Sequence, residues 1–290
     1  MSLVSALFPA LLLHLCLFMN DRTNTVGVPT AKAYDQLMTE ASDAHGKALH
    51  GRAIELYGKA IALDPKRYDA WMKRAITYRM KGDSAGAVTN FDKVLEIRPD
   101  LTPVWQMRGE EKFKLGAVNA AVADFDKYSL LVPSQKPQNW QRGIALFEAD
   151  RFKEAKEQFE LHQTVNPNDV ENAVWHFLSN ARLNSVDQAR TQLIPINGDR
   201  RVPMSQIHAL FGGKATVEEV MEAAKVASSK DQLQEQLFFA HLYVGLYLEA
   251  SKEIKQSVEM LSKATNEYKM ENYMGDVARV HLQRMKPPAP

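Results

Sequence analysis

The chain has 290 residues, 45% hydrophobic and 24% charged, with 36 basic against 35 acidic side chains. That near-balance argues against a broad nucleic-acid-binding surface, which needs a clear basic excess, and the composition is that of one large or two modest globular domains. The single cysteine, Cys16, leaves the rest of the chain with no internal disulfide and no cysteine-held zinc site.

Ser2 to Met19, "SLVSALFPALLLHLCLFM", is apolar and carries no charge, and the first charges are Asp21 and Arg22. Residues 1–27 read as a signal peptide or a short membrane anchor. Departures are the absence of Lys or Arg before the run, Pro9 within it, and a cleavage site no better than Thr25-x-Gly27. Cys16 raises the bacterial lipoprotein alternative, but Leu15 stands where such a site takes Gly, Ala or Ser. The other reading is an apolar helix packed on the protein's own body. The expected location is exported or membrane-anchored, at the periplasm or cell envelope if bacterial, with the cytoplasm as the alternative.

A repeat follows. Pro65, Pro99, Pro133 and Pro167 are each 34 residues apart. Ala53, Ala87, Ala121 and Ala155 keep the same period, as do Tyr57, Phe91, Phe125 and Phe159. Trp71 and Trp105 fall six residues after a proline, and Trp140 seven. The spacing predicts two amphipathic helices per repeat, joined by tight turns such as "KGDS" and "KLGA". Small residues at 75, 109 and 143 face those at 87, 121 and 155, so paired helices approach closely. Proline lacks an N–H and ends each second helix. One such unit cannot bury its own apolar face, but stacked units bury a continuous core.

This pattern resembles the tetratricopeptide repeat. The resemblance implies an all-α fold, a solenoid in which helix pairs wind into a right-handed superhelix, with repeats at 34–67, 68–101, 102–135 and 136–169. Residues 170–284 form a diverged helical region. In it "DVENAVWHFLSNARLNSVDQARTQL" reads as a helix pair with Trp175, Phe177 and Ala189 as packing residues. "IPINGDRRVP" (194–203) reads as a loop, and Thr216 with Glu219 as a capping box. A further pair carries Gly245, Leu261 and Ala264. A last helix, "YMGDVARVHLQR", caps the stack, and 285–290 form a disordered tail. The layout over 34–282 is similar to the exported bacterial new-lipoprotein-I group, which implies a scaffold at a cell envelope that brings proteases or wall hydrolases to partners.

No motif for chemistry stands out. The eight histidines form no HExxH. "FGGKAT" lacks the first glycine and the hydroxyl residue of a phosphate loop, and no G-x-S-x-G occurs. The expectation is a non-enzyme with no catalytic residue, cofactor or metal. An enzyme with a site in 168–252 would have only His176, Asp199, Arg200 and His208 to use.

In tetratricopeptide geometry the concave groove is lined by the first helix of each repeat. The resemblance implies Met72, Ile76, Arg79 and Met80 from the second repeat, and Gln106, Glu110, Phe113 and Lys114 from the third. The fourth gives Trp140, Ile144, Phe147 and Glu148. An apolar strip of this kind marks an interaction surface, with Trp and Phe as anchors and Met as an adaptable contact. The alternative is that the C-terminal helices fold back, fill the groove and make these residues core. The clamp by which related domains hold a chaperone's C-terminal carboxylates is absent, because Met38, Ser42, Lys73, Pro103 and Met107 occupy its positions. The expected partner is a protein or peptide, not nucleic acid. A second copy of the chain and a membrane contact through residues 2–19 are further alternatives.

Overall fold

Helices end at Leu63, Ile97 and Leu131, each two residues before Pro65, Pro99 and Pro133. The computed structural model describes residues 27–285. The apolar run 2–19, Cys16 and residues 286–290 lie outside the described residues. Among the described residues every regular element is a helix. The chain divides into two compact bodies, one up to Pro65 and one from Lys66 onward.

The first body holds α1 (Gly27–Gly46) and α2 (His50–Leu63). Ala41, Ala53 and Ala60 are fully buried, which lets the two helices pack closely, and Tyr34 and Tyr57 fill the remaining space. The Ser42 and Tyr57 hydroxyls meet at 3.2 Å. The expected opening at 34 lies inside α1, which starts seven residues earlier.

The second body opens with three helix pairs. They are α3 (Tyr68–Lys81) with α4 (Ser84–Ile97), α5 (Thr102–Lys114) with α6 (Val118–Leu131), and α7 (Trp140–Glu148) with α8 (Phe152–Gln163). The small residues act as expected. A Cβ on Gly109 would lie 2.8 Å from the Phe125 ring, and one on Gly143 2.7 Å from the Phe159 ring. The inter-helix turns need a left-handed residue, supplied by Gly82 and Gly116 at φ 80° and 75°. One period on, Asp150 takes the same role at φ 58°.

The fourth repeat departs from the expected start at 136. Pro133 and Pro137 both fall in its opening turn, and neither can donate an N–H to an α-helix. Residues Pro133–Gln138 form a 3-10 turn instead, and α7 begins only at Trp140.

A polar ladder with the same 34-residue period ties the pairs together. Arg74 donates to Asn90 at 2.7 Å. Arg108 reaches Asp124 at 2.6 Å and Asp92 of the preceding pair at 2.7 Å. Arg142 reaches Asp126 at 2.6 Å and Gln158 at 3.0 Å. His176 continues the series by facing Glu160 at 3.4 Å. Arg74 and Arg108 each lie 4.9 Å from the centre of the Trp71 and Trp105 rings.

Seven more helices follow: α9 (Val170–Leu183), α10 (Val186–Thr191), α11 (Met204–Phe211), α12 (Val217–Ala223), α13 (Lys230–Ala250), α14 (Ile254–Asn266) and α15 (Tyr273–Met285). The loop at 194–203 is non-helical, and the Thr216–Glu219 capping box forms. Helix α9 is buried without interruption from Asn172 to Asn180, because α7, α8, α10, α11 and α13 all pack on it.

Helices α13 and α14 repeat the earlier pair geometry. A Cβ on Gly245 would lie 2.7 Å from Leu261, and the Ser257 hydroxyl donates to the Gly245 carbonyl at 2.7 Å. Their turn residue, Lys252, has φ 67° and lies 102 residues, or three periods, after Asp150. A left-handed lysine is strained, so Lys252→Gly is expected to raise stability by about 0.5–1 kcal/mol. Denaturant unfolding checks this, and an unchanged or lower midpoint would contradict it.

Helix α15 packs on α14 and on α5, against the face of α5 and α7 that the repeat geometry assigns to the groove.

Candidate interaction site

The expected groove residues separate into two groups. Met72, Ile76 and Met80 recur every four residues along α3 and so share one face. Met72 and Ile76 are half-buried, and Met80 is 61% exposed. Arg79, one turn from them, donates to Glu110 at 2.6 Å and to Glu111 at 2.8 Å across the gap to α5. Glu110 also accepts from Gln106 and Gln141, and Asn139 donates to Gln106 at 3.1 Å. A chain of polar contacts thus crosses the first helices of three successive repeats and fixes their relative register.

Glu111 is the buried anchor of this network. It accepts from Arg79, the Ser84 hydroxyl at 2.6 Å and Lys114 at 2.9 Å. Burial pushes its carboxyl up, but Ser84, Lys114 and Arg79 outweigh burial and hold it below the ordinary value. Two cations balance two carboxylates here, so the surface is polar without strong net charge.

The second group is covered. Phe113, Ile144 and Phe147 are at most 1% exposed, which corrects the expectation of an open apolar strip along the third and fourth repeats. The cause is α15. Tyr273 stacks on Phe113 with ring centres 5.4 Å apart and meets Trp140 edge-on at 5.3 Å. Arg279 donates to the Lys114 carbonyl at 2.7 Å. Phe147 packs edge-on against Phe152 and Trp175. The fold-back alternative describes this part of the groove.

Glu148, expected to line the groove, has a fully buried side chain and holds α15 in place. His281 Nδ1 contacts its carboxylate at 2.8 Å and Arg284 donates to it at 2.6 Å. His281 Nε2 meets Glu249 at 2.9 Å. Burial alone would push the His281 imidazole down, but Glu148 and Glu249 raise it to about 10. Burial likewise pushes the Glu148 carboxyl up, and His281 and Arg284 bring it below its usual value. Both partners therefore favour their charged forms near neutral pH.

The four residues considered for chemistry do not bond to one another. His176 faces Glu160, Asp199 pairs with Arg201, His208 Nε2 meets the Ile194 carbonyl, and Arg200 is exposed. Among the described residues no group of three His, Cys, Asp or Glu side chains is placed to hold a metal ion, and no helix is long and apolar enough to cross a membrane.

Sequence reasoning missed two features. The Arg74, Arg108 and Arg142 series was legible, since it keeps the 34-residue period. The α15 contacts had no comparable signal.

Comparison with known proteins fits this geometry. The family described as "Tetratricopeptide repeat" matches residues 56–89. No curated protein matches the chain. Among solved structures the chain is similar to a tetratricopeptide repeat protein from Parabacteroides merdae, at 15% identity and TM-score 0.57, covering 86% of this chain and 98% of that one. It is also similar to a MamA protein, at 16% identity and TM-score 0.52, covering 69% of this chain and 98% of that one. A third is YrrB, described as a tetratricopeptide repeat protein with an unusual peptide-binding site, at 18% identity and TM-score 0.51, covering 68% of this chain and 98% of that one. At these identities the likeness concerns the fold: the chain has the all-helical fold of tetratricopeptide solenoids.

Proposed function

We propose that this protein is a non-catalytic scaffold that binds a protein partner along the inner face of its repeats. The observation that carries this is the seating of α15. An amphipathic helix of the chain itself lies on α5 and α7, with an aromatic anchor on Phe113 and Trp140 and a charged lock at Glu148. A face shaped to take a helix is a mode of peptide recognition, and the neighbouring face of α3 offers Met72, Ile76 and Met80 with Arg79 beside them. The likeness to YrrB supports a peptide-binding role at the level of the fold.

Phe113 is a poor probe of this role, because removing a buried aromatic costs about 3–5 kcal/mol of stability. The test uses Ile76→Asp with Met80→Asp. The pair is expected to weaken partner binding by about tenfold or more, the loss of at least one apolar contact point, while the thermal midpoint changes little. Full binding by the double variant would contradict the proposal.

We further propose a cell-envelope location and kinship with the exported new-lipoprotein-I group. The uncharged run 2–19 and the order of four repeats, a diverged middle and a terminal helix support both. Mass spectrometry of the mature N-terminus tests the location: an intact Met1 in a protein recovered from the soluble cytoplasmic fraction would overturn it.

A further inference from the structure

A cavity of about 400 Å³ opens beside the covered part of the groove, within the size range of small-ligand sites. Its apolar wall is Trp140, Ile144, Phe159, Trp175 and Met274. Trp175 is held rigidly there, stacked on Phe159 at 6.5 Å and edge-on to Phe147 at 5.3 Å.

The polar groups of the wall are nearly all occupied. His162 Nδ1 meets the Pro137 carbonyl at 2.8 Å. Asp169 caps α9 through the Glu171 N–H and pairs with Arg201, and Asn166 donates to it at 3.2 Å. Glu171 is taken by Arg201 and the Tyr243 hydroxyl. Asn172 uses its amide N–H groups on the Phe159 carbonyl and Gln163.

Two atoms remain. The Asn172 Oδ1 and the Trp175 Nε1–H are buried and have no partner, on side chains that are 3% and 1% exposed. Both residues line the cavity, and at three residues apart they lie on one face of α9. Buried polar groups left without partners are costly, so such a pair marks a place for a complementary group. One atom accepts and the other donates. One residue of an extended peptide supplies both complements from one edge, its carbonyl to the indole and its N–H to Asn172.

Charge narrows the ligand further. No Lys or Arg lines the cavity, whereas Asp169 and Glu171 do. Asp169, Glu171 and Asp199 share one guanidinium, that of Arg201. A free carboxylate is disfavoured at such a wall, and an uncharged or cationic group is accepted.

We propose that this cavity binds an internal segment of a peptide, with an apolar side chain between the two indoles and that residue's own carbonyl and N–H bonded to Trp175 and Asn172. The proposal rests on the scaffold reading and names the chemistry of what that scaffold holds.

The test uses N-acetyl-leucinamide and N-acetyl-leucine as probes, with the full chain and an ¹H–¹⁵N spectrum of its indoles. The chain has four tryptophans, and Trp175→Phe assigns the resonance of interest. N-acetyl-leucinamide is expected to shift the Trp175 indole signal downfield and saturably. The acid is expected to bind about tenfold more weakly, equal to about 1.4 kcal/mol. Absence of a shift, equal shifts from amide and acid, or a long-lived water at the indole N–H that the amide fails to displace would each overturn the proposal. If the Trp175 variant folds poorly, Trp71→Phe, Trp105→Phe and Trp140→Phe assign the wild-type resonance by elimination. Ile76→Asp with Met80→Asp is expected to leave this titration unchanged, so failure here is distinguishable from failure of the scaffold reading.

Discussion

Glu148→Ala is expected to lower stability by about 3–5 kcal/mol, the cost of breaking a buried ion pair from one side, and to loosen α15. The side chain is fully buried, and it is the shared acceptor for His281 and Arg284. Without it, a raised imidazole and a guanidinium face each other with Glu249 and Asp150 as their remaining acidic partners. Hydrogen exchange over residues 273–285 should accelerate in the variant, because the lock no longer holds the helix against α5 and α7. A melting midpoint equal to wild type would refute this role for Glu148.

The same cluster sets a pH dependence. His281 is raised from 6.5 to about 10 on folding, so its stabilising contribution is complete below about 6.5 and is lost as pH rises through 10. Glu148 and Glu249 are lowered from 4.5, so their contribution is present above that value and is lost on acidification. The cluster is therefore strongest between roughly 4.5 and 6.5. Wild-type stability should fall between pH 7 and 10, and Glu148→Ala should flatten that fall. Parallel pH profiles in the two proteins would contradict the assignment.

Gly275→Ala is expected to cost about 3 kcal/mol, at the upper end of overpacking effects. A Cβ there would lie 1.9 Å from the Met270 carbonyl oxygen. Backbone cannot swing aside as a side chain can, so the first turn of α15 must move. Tyr273 and Met274 move with it, away from Phe113, Trp140 and the cavity. Gly212→Ala is the control, since its nearest neighbours are at 3.4 Å. Equal melting of the two variants would show that the close approach has no energetic weight.

The contrast between Gly143 and His281 explains what the sequence disclosed. Gly143 meets Phe159 sixteen residues on, within one repeat, and that spacing recurs in Gly109 with Phe125 and Gly245 with Leu261. A contact made at fixed short separation leaves a period in the sequence. His281 meets Glu148 across 133 residues, and Arg279 meets Lys114 across 165. Contacts of that range leave no period, so Glu148 looked like an open groove residue and Phe113 like an exposed anchor. The α13–α14 pair lies between these cases. Its frame is kept at Gly245 and Lys252, but the turn residue is not glycine and the closing proline is gone, so the sequence discloses the pair through Gly245, Leu261 and Ala264 and the packing supplies its turn. Asn172 and Trp175 were legible as helix residues, while their unpartnered atoms emerge only once every neighbour has been placed.

The central claim, that the inner face of the repeats is where this protein holds its partner, is tested most directly by site-specific photo-crosslinking. A photoreactive residue is placed at position 76 on α3 or at position 89, an exposed site on α4, and the protein is irradiated in native extract. The account predicts a discrete protein adduct from position 76, lost when Met80→Asp is added, and none from position 89. Equal adducts from both positions, or an adduct from 89 alone, would contradict it.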